Sequence, residues 1–121
     1  MIVDDHKEAR ERLCIALKKF SDIKVVSEAV DGMEAIRVVK RSRPDVVVMD
    51  INMPKMNGID ATASILKSHP QLPVIGFSFF LAGRLRAAML EAGARMVLDK
   101  KIHVDALYAA IRSVVNRATV G

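Results

Sequence analysis

Three carboxylates, a hydroxyl and a lysine each stand at the end of a short apolar run. Asp4 and Asp5 follow Ile2-Val3, and Asp50 ends Val46-Val47-Val48-Met49. Ser78 follows Pro73-Val74-Ile75-Gly76-Phe77, and Lys100 follows Met96-Val97-Leu98-Asp99. Carboxylates gathered at one place repel unless a cation joins them. A hard ion such as Mg²⁺ is the natural occupant, because it takes one or two carboxylates, backbone oxygen, water and phosphate oxygens. Lysine offers phosphate oxygens a point positive charge, and serine offers a hydroxyl donor. The set therefore suits phosphoryl transfer to a metal-assisted carboxylate, with Asp50 best placed as nucleophile. Each residue alone has a plainer reading, Asp50 as a turn residue and Lys100 as a surface lysine. Convergence of four separate stretches reverses those odds.

Convergence requires a particular architecture. Apolar runs of four or five residues bounded by turn signals read as buried strands, and here they alternate with segments of helical period. That alternation implies parallel βαβ units, whose functional groups gather at the carboxyl edge of the sheet. Lys7 to Phe20 carries a helical stripe of Ala9, Leu13, Ala16, Leu17 and Phe20. Ile23 to Val30, mixed polar and β-branched, reads as an edge strand. Asp31 and Glu34 form a capping box for a helix that runs to about Ser42, with Ala35, Ile36 and Val39 inward and Pro44 blocking continuation. Val46 to Met49 is apolar on both faces and should be central. Ile59, Thr62, Ala63 and Leu66 mark a third helix, ended by Pro70. Leu81, Leu85, Ala88, Met89 and Ala92 mark a fourth, stopped by Gly93. Val104, Leu107, Tyr108, Ile111 and Val115 mark the last.

At 121 residues the chain has room for one hydrophobic core, and its 51% hydrophobic content is ample to fill it. No apolar stretch approaches a membrane span, no secretory signal opens the chain, and the lone Cys14 cannot form an internal disulfide. A single soluble, cytoplasmic domain is the expectation, with Cys14 a small packing residue. The net charge is +5. Arg37, Lys40, Arg41 and Arg43 cluster at the end of the second helical segment, without zinc-finger spacing, stacking aromatics or a recognition helix beside them, and read as a solvated basic face. Only Met1-Ile2-Val3 precedes the acidic pair, whereas a central strand usually takes five or six residues. Several upstream residues are therefore expected to be missing from domain 1–121.

The segments Ile2-Val3-Asp4-Asp5-His6, Val48-Met49-Asp50-Ile51-Asn52-Met53-Pro54-Lys55-Met56-Asn57-Gly58, Pro73 to Ser78 and Leu98-Asp99-Lys100 resemble the motifs of response-regulator receiver domains. The resemblance covers essentially the whole chain. It is most specific in the Met-Pro-x-Met-x-Gly loop, and is closest to receivers that carry a LuxR-type helix-turn-helix domain. It implies an α/β, flavodoxin-like, doubly wound five-stranded parallel sheet in order 2-1-3-4-5, flanked by five helices. It implies that Asp50 accepts a phosphoryl group from a histidine kinase or phosphotransfer protein, without turnover of a small substrate. By the same resemblance Asp5 ligates Mg²⁺ directly, Asp4 mainly through water, and Asn52 through its backbone carbonyl. Ser78 and Lys100 then contact the phosphoryl group, and a two-state shift at the fourth helix and fifth strand controls output. The chain is either a free-standing receiver or part of a longer regulator, and any DNA contact belongs to an output domain outside it.

Some positions depart from the family pattern. Val97 stands where an aromatic switch residue is usual, Lys101 follows the lysine where proline is common, and Phe79-Phe80 follows Ser78. His6 reads as the start of the first helix rather than as a ligand, because Mg²⁺ prefers oxygen. A haloacid-dehalogenase-type hydrolase would carry an acid/base aspartate at position 52, where this chain has Asn52. A flavodoxin-like electron carrier would not place acidic residues where a flavin phosphate binds. The stronger rival is a receiver that acts without phosphorylation as an interaction module. Partner docking or homodimerisation is expected through the fourth helix, fifth strand and fifth helix, around Phe80, Leu81, Arg84 and Arg86, with the first and fifth helices as the other surface.

Overall fold

A computed structural model describes residues 1–79 and 82–120, the last five by backbone alone. Five strands and five helices alternate: β1 (Ile2–Val3), α1 (Lys7–Lys18), β2 (Glu28–Ala29), α2 (Gly32–Ser42), β3 (Val47–Met49), α3 (Gly58–Ser68), β4 (Val74–Ser78), α4 (Gly83–Glu91), β5 (Met96–Asp99) and α5 (Val104–Val120). All pairings are parallel, as the alternation implied, and the order is β2-β1-β3-β4-β5, as the resemblance implied.

The central strands β1, β3 and β4 are buried on both faces, and the side chains of the sheet alternate between two cores. Val3, Val47, Met49, Val74 and Val97 face one side, where they meet Ala35, Val39, Ala61, Ile65 and Met89 of α2, α3 and α4. Ile2, Val48 and Ile75 face the other side, against Leu17 of α1 and Leu107, Ile111 and Val114 of α5. This two-sided burial is why β3 reads as an uninterrupted apolar run. Cys14 is a half-buried free thiol packed against the second core, and burial raises its pKa.

Local chemistry sets the helix ends. Asp31 accepts the Glu34 amide at 2.8 Å, and the Glu34 carboxylate reaches back to the Val30 amide at 3.1 Å. The expected box is thus present, with its return bond one residue earlier than the standard form. Arg43, in the left-handed region at φ 47°, ends α2 before Pro44. Asn57 caps α3 by accepting the Asp60 amide at 2.9 Å. Gly93, at φ +114°, closes α4, with the Ala94 amide returning to the Met89 carbonyl. A Cβ there would stand 2.4 Å from Leu66 Cδ1, a side-chain end that can shift, so the positive φ is what favours glycine.

Several expectations change. The edge strand expected over 23–30 pairs only at Glu28–Ala29, although its residues still alternate between half-buried and exposed. As an edge, this segment has one partner, β1, and two residues of ladder satisfy it. Helix α1 stops at Lys18, short of Phe20, whose ring instead stacks on Tyr108 of α5 at 4.1 Å. In α3 Thr62 is buried and Ile59 and Leu66 pack against the core as expected, but Ala63 is exposed and Ala61 and Ile65 are buried in addition. Helix α4 begins at Gly83 rather than near Leu81. Phe80 and Leu81, the expected apolar anchors of the output surface, lie outside the described residues. Every peptide bond described is trans, including the one after Lys100. Among the described residues, no helix is long and apolar enough to cross a membrane.

Candidate functional site

The loop after β3 is held in place by its contact with that strand. The Gly58 amide donates to the Ile51 carbonyl at 2.8 Å, and a Cβ on Gly58 would stand only 2.0 Å from the Asp50 carbonyl oxygen. Only glycine allows this approach. A tight turn between Pro54 and Met56, centred on Lys55 at φ 67°, folds the loop over. The Gly32 amide of α2 then fixes it by donating to the Met56 carbonyl at 3.0 Å.

With the loop so fixed, the ends of β1, β3, β4 and β5 form one crevice. Asp4, Asp50 and Ser78 are almost wholly buried, and Asp5 is partly so. Lys100 places its ammonium 2.5 Å from Asp4 Oδ2 and 3.4 Å from Asp50 Oδ2. Asp50 Oδ1 accepts the Ile51 amide at 2.8 Å, which leaves Oδ2 turned toward the ammonium. Burial raises the Asp50 pKa and the Asp4 charge adds to the rise, while Lys100, the Ile51 amide and the Ser78 hydroxyl oppose it. The Ser78 hydroxyl donates to the Phe79 carbonyl at 3.2 Å, and the Lys100 amide donates to the Ser78 carbonyl at 3.1 Å. Asp50, Asn52, Ser78, Phe79 and Lys100 line a cleft of about 380 Å³ that opens past His6 and Arg12. Asn52 itself is exposed at the rim.

The acidic groups fit a cation. Asp4, Asp5, His6 and Asp50 each offer a ligand atom, all within 4.8 Å of one another. Asp5 Oδ1 is buried and accepts no hydrogen bond; His6 Nδ1 lies 3.2 Å away without hydrogen-bond geometry. A buried carboxylate oxygen without a partner is costly, and a cation would satisfy it.

One contributor, Arg10, was not singled out in the sequence, and two others, Arg86 and His6, make contacts beyond those expected of them. Arg10 donates from Nη1 to the Asp4 carbonyl at 2.8 Å and from Nε to Glu28 at 3.2 Å, tying α1 and β2 to the acidic turn. Arg10 lies one residue beyond Ala9, at the edge of the apolar stripe of α1, and nothing local distinguishes it from the surface arginines. On the opposite flank Arg86 donates to the carbonyl of Val97, the buried residue in the switch position, at 2.8 Å. His6, expected only to begin α1, occupies its N-cap and also joins the acidic cluster.

The response-regulator receiver domain model matches residues 1–112. Among curated proteins, the transcriptional regulatory protein DegU of Brevibacillus brevis is 35% identical over 94% of this chain and 48% of its own length. The response regulator GacA of Pseudomonas viridiflava is 32% identical over 94% of this chain and 53% of its own. The chain thus spans about half the length of these relatives. A solved LuxR-family response regulator from Aurantimonas superposes with a TM-score of 0.91 at 31% identity, covering 96% of this chain and 83% of that one. A chain from the Borrelia burgdorferi CheX–CheY–BeF3–Mg complex gives 0.85 at 29%, covering 93% and 85%. With the sheet order, the convergent crevice and these similarities in agreement, the chain belongs to the response-regulator receiver domain family of two-component signalling.

Proposed function

We propose that this domain accepts a phosphoryl group on Asp50 from a histidine kinase or phosphotransfer protein, and that the reaction depends on Mg²⁺. The observation that carries the reading is the position of Lys100, in reach of both Asp4 and Asp50 beside an unpartnered Asp5 oxygen. Asp50 Oδ2 attacks the phosphorus, and an O–P bond forms there as the donor's N–P bond breaks, leaving the electron pair on the imidazole nitrogen. Oδ1 stays tied to the Ile51 amide, which orients the attack. Lys100 pairs with the arriving phosphoryl oxygens, and Ser78 turns its hydroxyl from the Phe79 carbonyl toward them. Asp4, Asp5 and Asp50, with the Asn52 carbonyl, would hold Mg²⁺, whose charge offsets that of the phosphoryl oxygens. The BeF3 and Mg of the Borrelia complex lend support by analogy. The domain thus acts as a cytoplasmic signalling switch, not a turnover enzyme, and governs an output domain or partner.

Intact-mass measurement after incubation with acetyl phosphate tests this. One phosphoryl addition is expected, requiring Mg²⁺ and abolished by Asp50→Ala. Addition that persists in the variant would move the acceptor elsewhere. No addition to the folded wild type, with either acetyl phosphate or a kinase, would favour a receiver that acts without phosphorylation.

A further inference from the structure

We infer that the His6 imidazole is a nitrogen donor to the cation pocket, so that the pocket also binds divalent ions that favour nitrogen, such as Ni²⁺, with His6 setting its preference between these and Mg²⁺. The inference rests on the metal-assisted reading of the acidic cluster and adds a ligand to it.

The geometry points this way. His6 Nδ1 lies 3.2 Å from Asp5 Oδ1 and 3.4 Å from Asp4 Oδ1. Two donors each about 2.1 Å from one ion, at octahedral or tetrahedral angles, lie roughly 3.0–3.4 Å apart. The nitrogen is therefore spaced from each oxygen as a co-ligand of one cation would be, and all the ligand atoms of the cluster lie within 4.8 Å of one another. The contact with Asp5 lacks hydrogen-bond geometry and leaves Oδ1 unpartnered, so a direct bond between the two does not account for it.

Two features hold His6 in place. Its amide donates to Asp4 Oδ1 at 2.9 Å, fixing its backbone to the acidic turn. As N-cap of α1 it makes no side-chain cap bond, so the ring is not committed to the helix. The ring is mostly exposed, and the alternative is a solvated histidine attracted to neighbouring carboxylates. Ion preference separates the two readings. Mg²⁺ favours oxygen and gains little from an imidazole, whereas affinity at a mixed nitrogen–oxygen site rises toward the later first-row metals. A simple charge attraction would not discriminate between ions in this way.

The test is calorimetric titration of the whole chain with NiCl2 and with MgCl2, for wild type, His6→Ala and His6→Gln. In wild type Ni²⁺ should bind more tightly than Mg²⁺, and excess Mg²⁺ should displace it. Both variants should lose Ni²⁺ affinity by more than the roughly tenfold to hundredfold that follows loss of an outer-shell partner. Their Mg²⁺ affinity should stay within about twofold of wild type, since the oxygen ligands remain. Because His6 makes no cap bond, both variants should keep the wild-type melting temperature, and agreement between them guards against a local defect in either. Ni²⁺ affinity unchanged in both variants, or Ni²⁺ that Mg²⁺ cannot displace, would overturn the inference. His6-dependent Ni²⁺ binding by a chain that takes no Mg²⁺ would support the nitrogen ligand and overturn the Mg²⁺-dependent reaction.

Discussion

Lys100 and Asp4 are 96 residues apart in sequence and 2.5 Å apart in space. The contact ties β5 to β1 across the crevice, and the same ammonium reaches Asp50 at 3.4 Å. Lys100 therefore acts as the internal counter-ion of two buried carboxylates.

Removing it should expose their repulsion. Lys100→Ala is expected to cost on the order of 3 kcal/mol of metal-free stability, the low end for breaking a buried ion pair on one side. Saturating Mg²⁺ should recover part of this, because a second cation takes over the neutralising role. Urea unfolding with and without Mg²⁺ measures both quantities. An equal loss in the two conditions would separate the lysine from the cation pocket.

The acidic cluster carries its own prediction. Mg²⁺ at a hundredfold excess over its dissociation constant should add about 2.7 kcal/mol by linkage. Asp5→Asn should weaken that response and raise the metal-free melting temperature, since one repelling charge and one unpartnered carboxylate oxygen are gone. A lower metal-free melting temperature would argue against a crowded pocket.

Fold and site were legible in the sequence to different depths. The βα alternation was visible because strands buried on both faces leave continuous apolar runs, and the candidate site residues were visible because each ends such a run. Gly58 was visible as part of its loop motif, and the structure supplies the reason, a backbone contact with Asp50 that leaves no room for a Cβ. The limits of β2 were not visible, because its alternation persists where its hydrogen-bonded ladder does not. In α3 only Ala63 was misplaced, because alanine carries no burial preference strong enough to choose between Ala61 and Ala63. Arg10 and Arg86 act through backbone carbonyls distant in sequence, and no residue pattern encodes such a bond.

Phe79 lines the cleft beside Asp50 and Lys100. Its ring is 44% exposed and sits under the Lys100 ammonium at 5.5 Å to the centroid. A ring in that place narrows the path of water to a phosphoryl group on Asp50. Phe79→Ala should therefore shorten the lifetime of the phosphorylated state, read as the decay of the phosphorylated mass. An unchanged decay rate would leave the ring a packing role only.

Tyr108 is the sole tyrosine and there is no tryptophan, so its ionisation can be followed by absorbance alone. Its hydroxyl donates to Asp22 Oδ2 at 2.6 Å. That bond raises the tyrosine pKa above 10.0 and lowers that of Asp22 below 3.8. The phenol's share of stability is present below the unfolded tyrosine value and is lost as pH rises through the folded one. The carboxylate's share is present above the unfolded aspartate value and is lost as pH falls through the folded one. The absorbance midpoint should lie above 10.0 and move down toward it in Asp22→Asn. A midpoint unmoved by that change would mean the bond does not persist in solution.

The closed loop between Asp50 and Gly58 bears on how this domain can be altered. Gly58 holds it against Ile51, and Gly32 holds it against Met56. Both anchors are backbone groups, so the constraint falls on the number of residues between them more than on their side chains. Grafts, tags or added residues should be tolerated in the exposed turn at Ser21–Asp22, where such insertions usually succeed. An insertion between residues 51 and 58 would pull the start of α3 off the end of β3 and carry Asp50 out of register with Lys100.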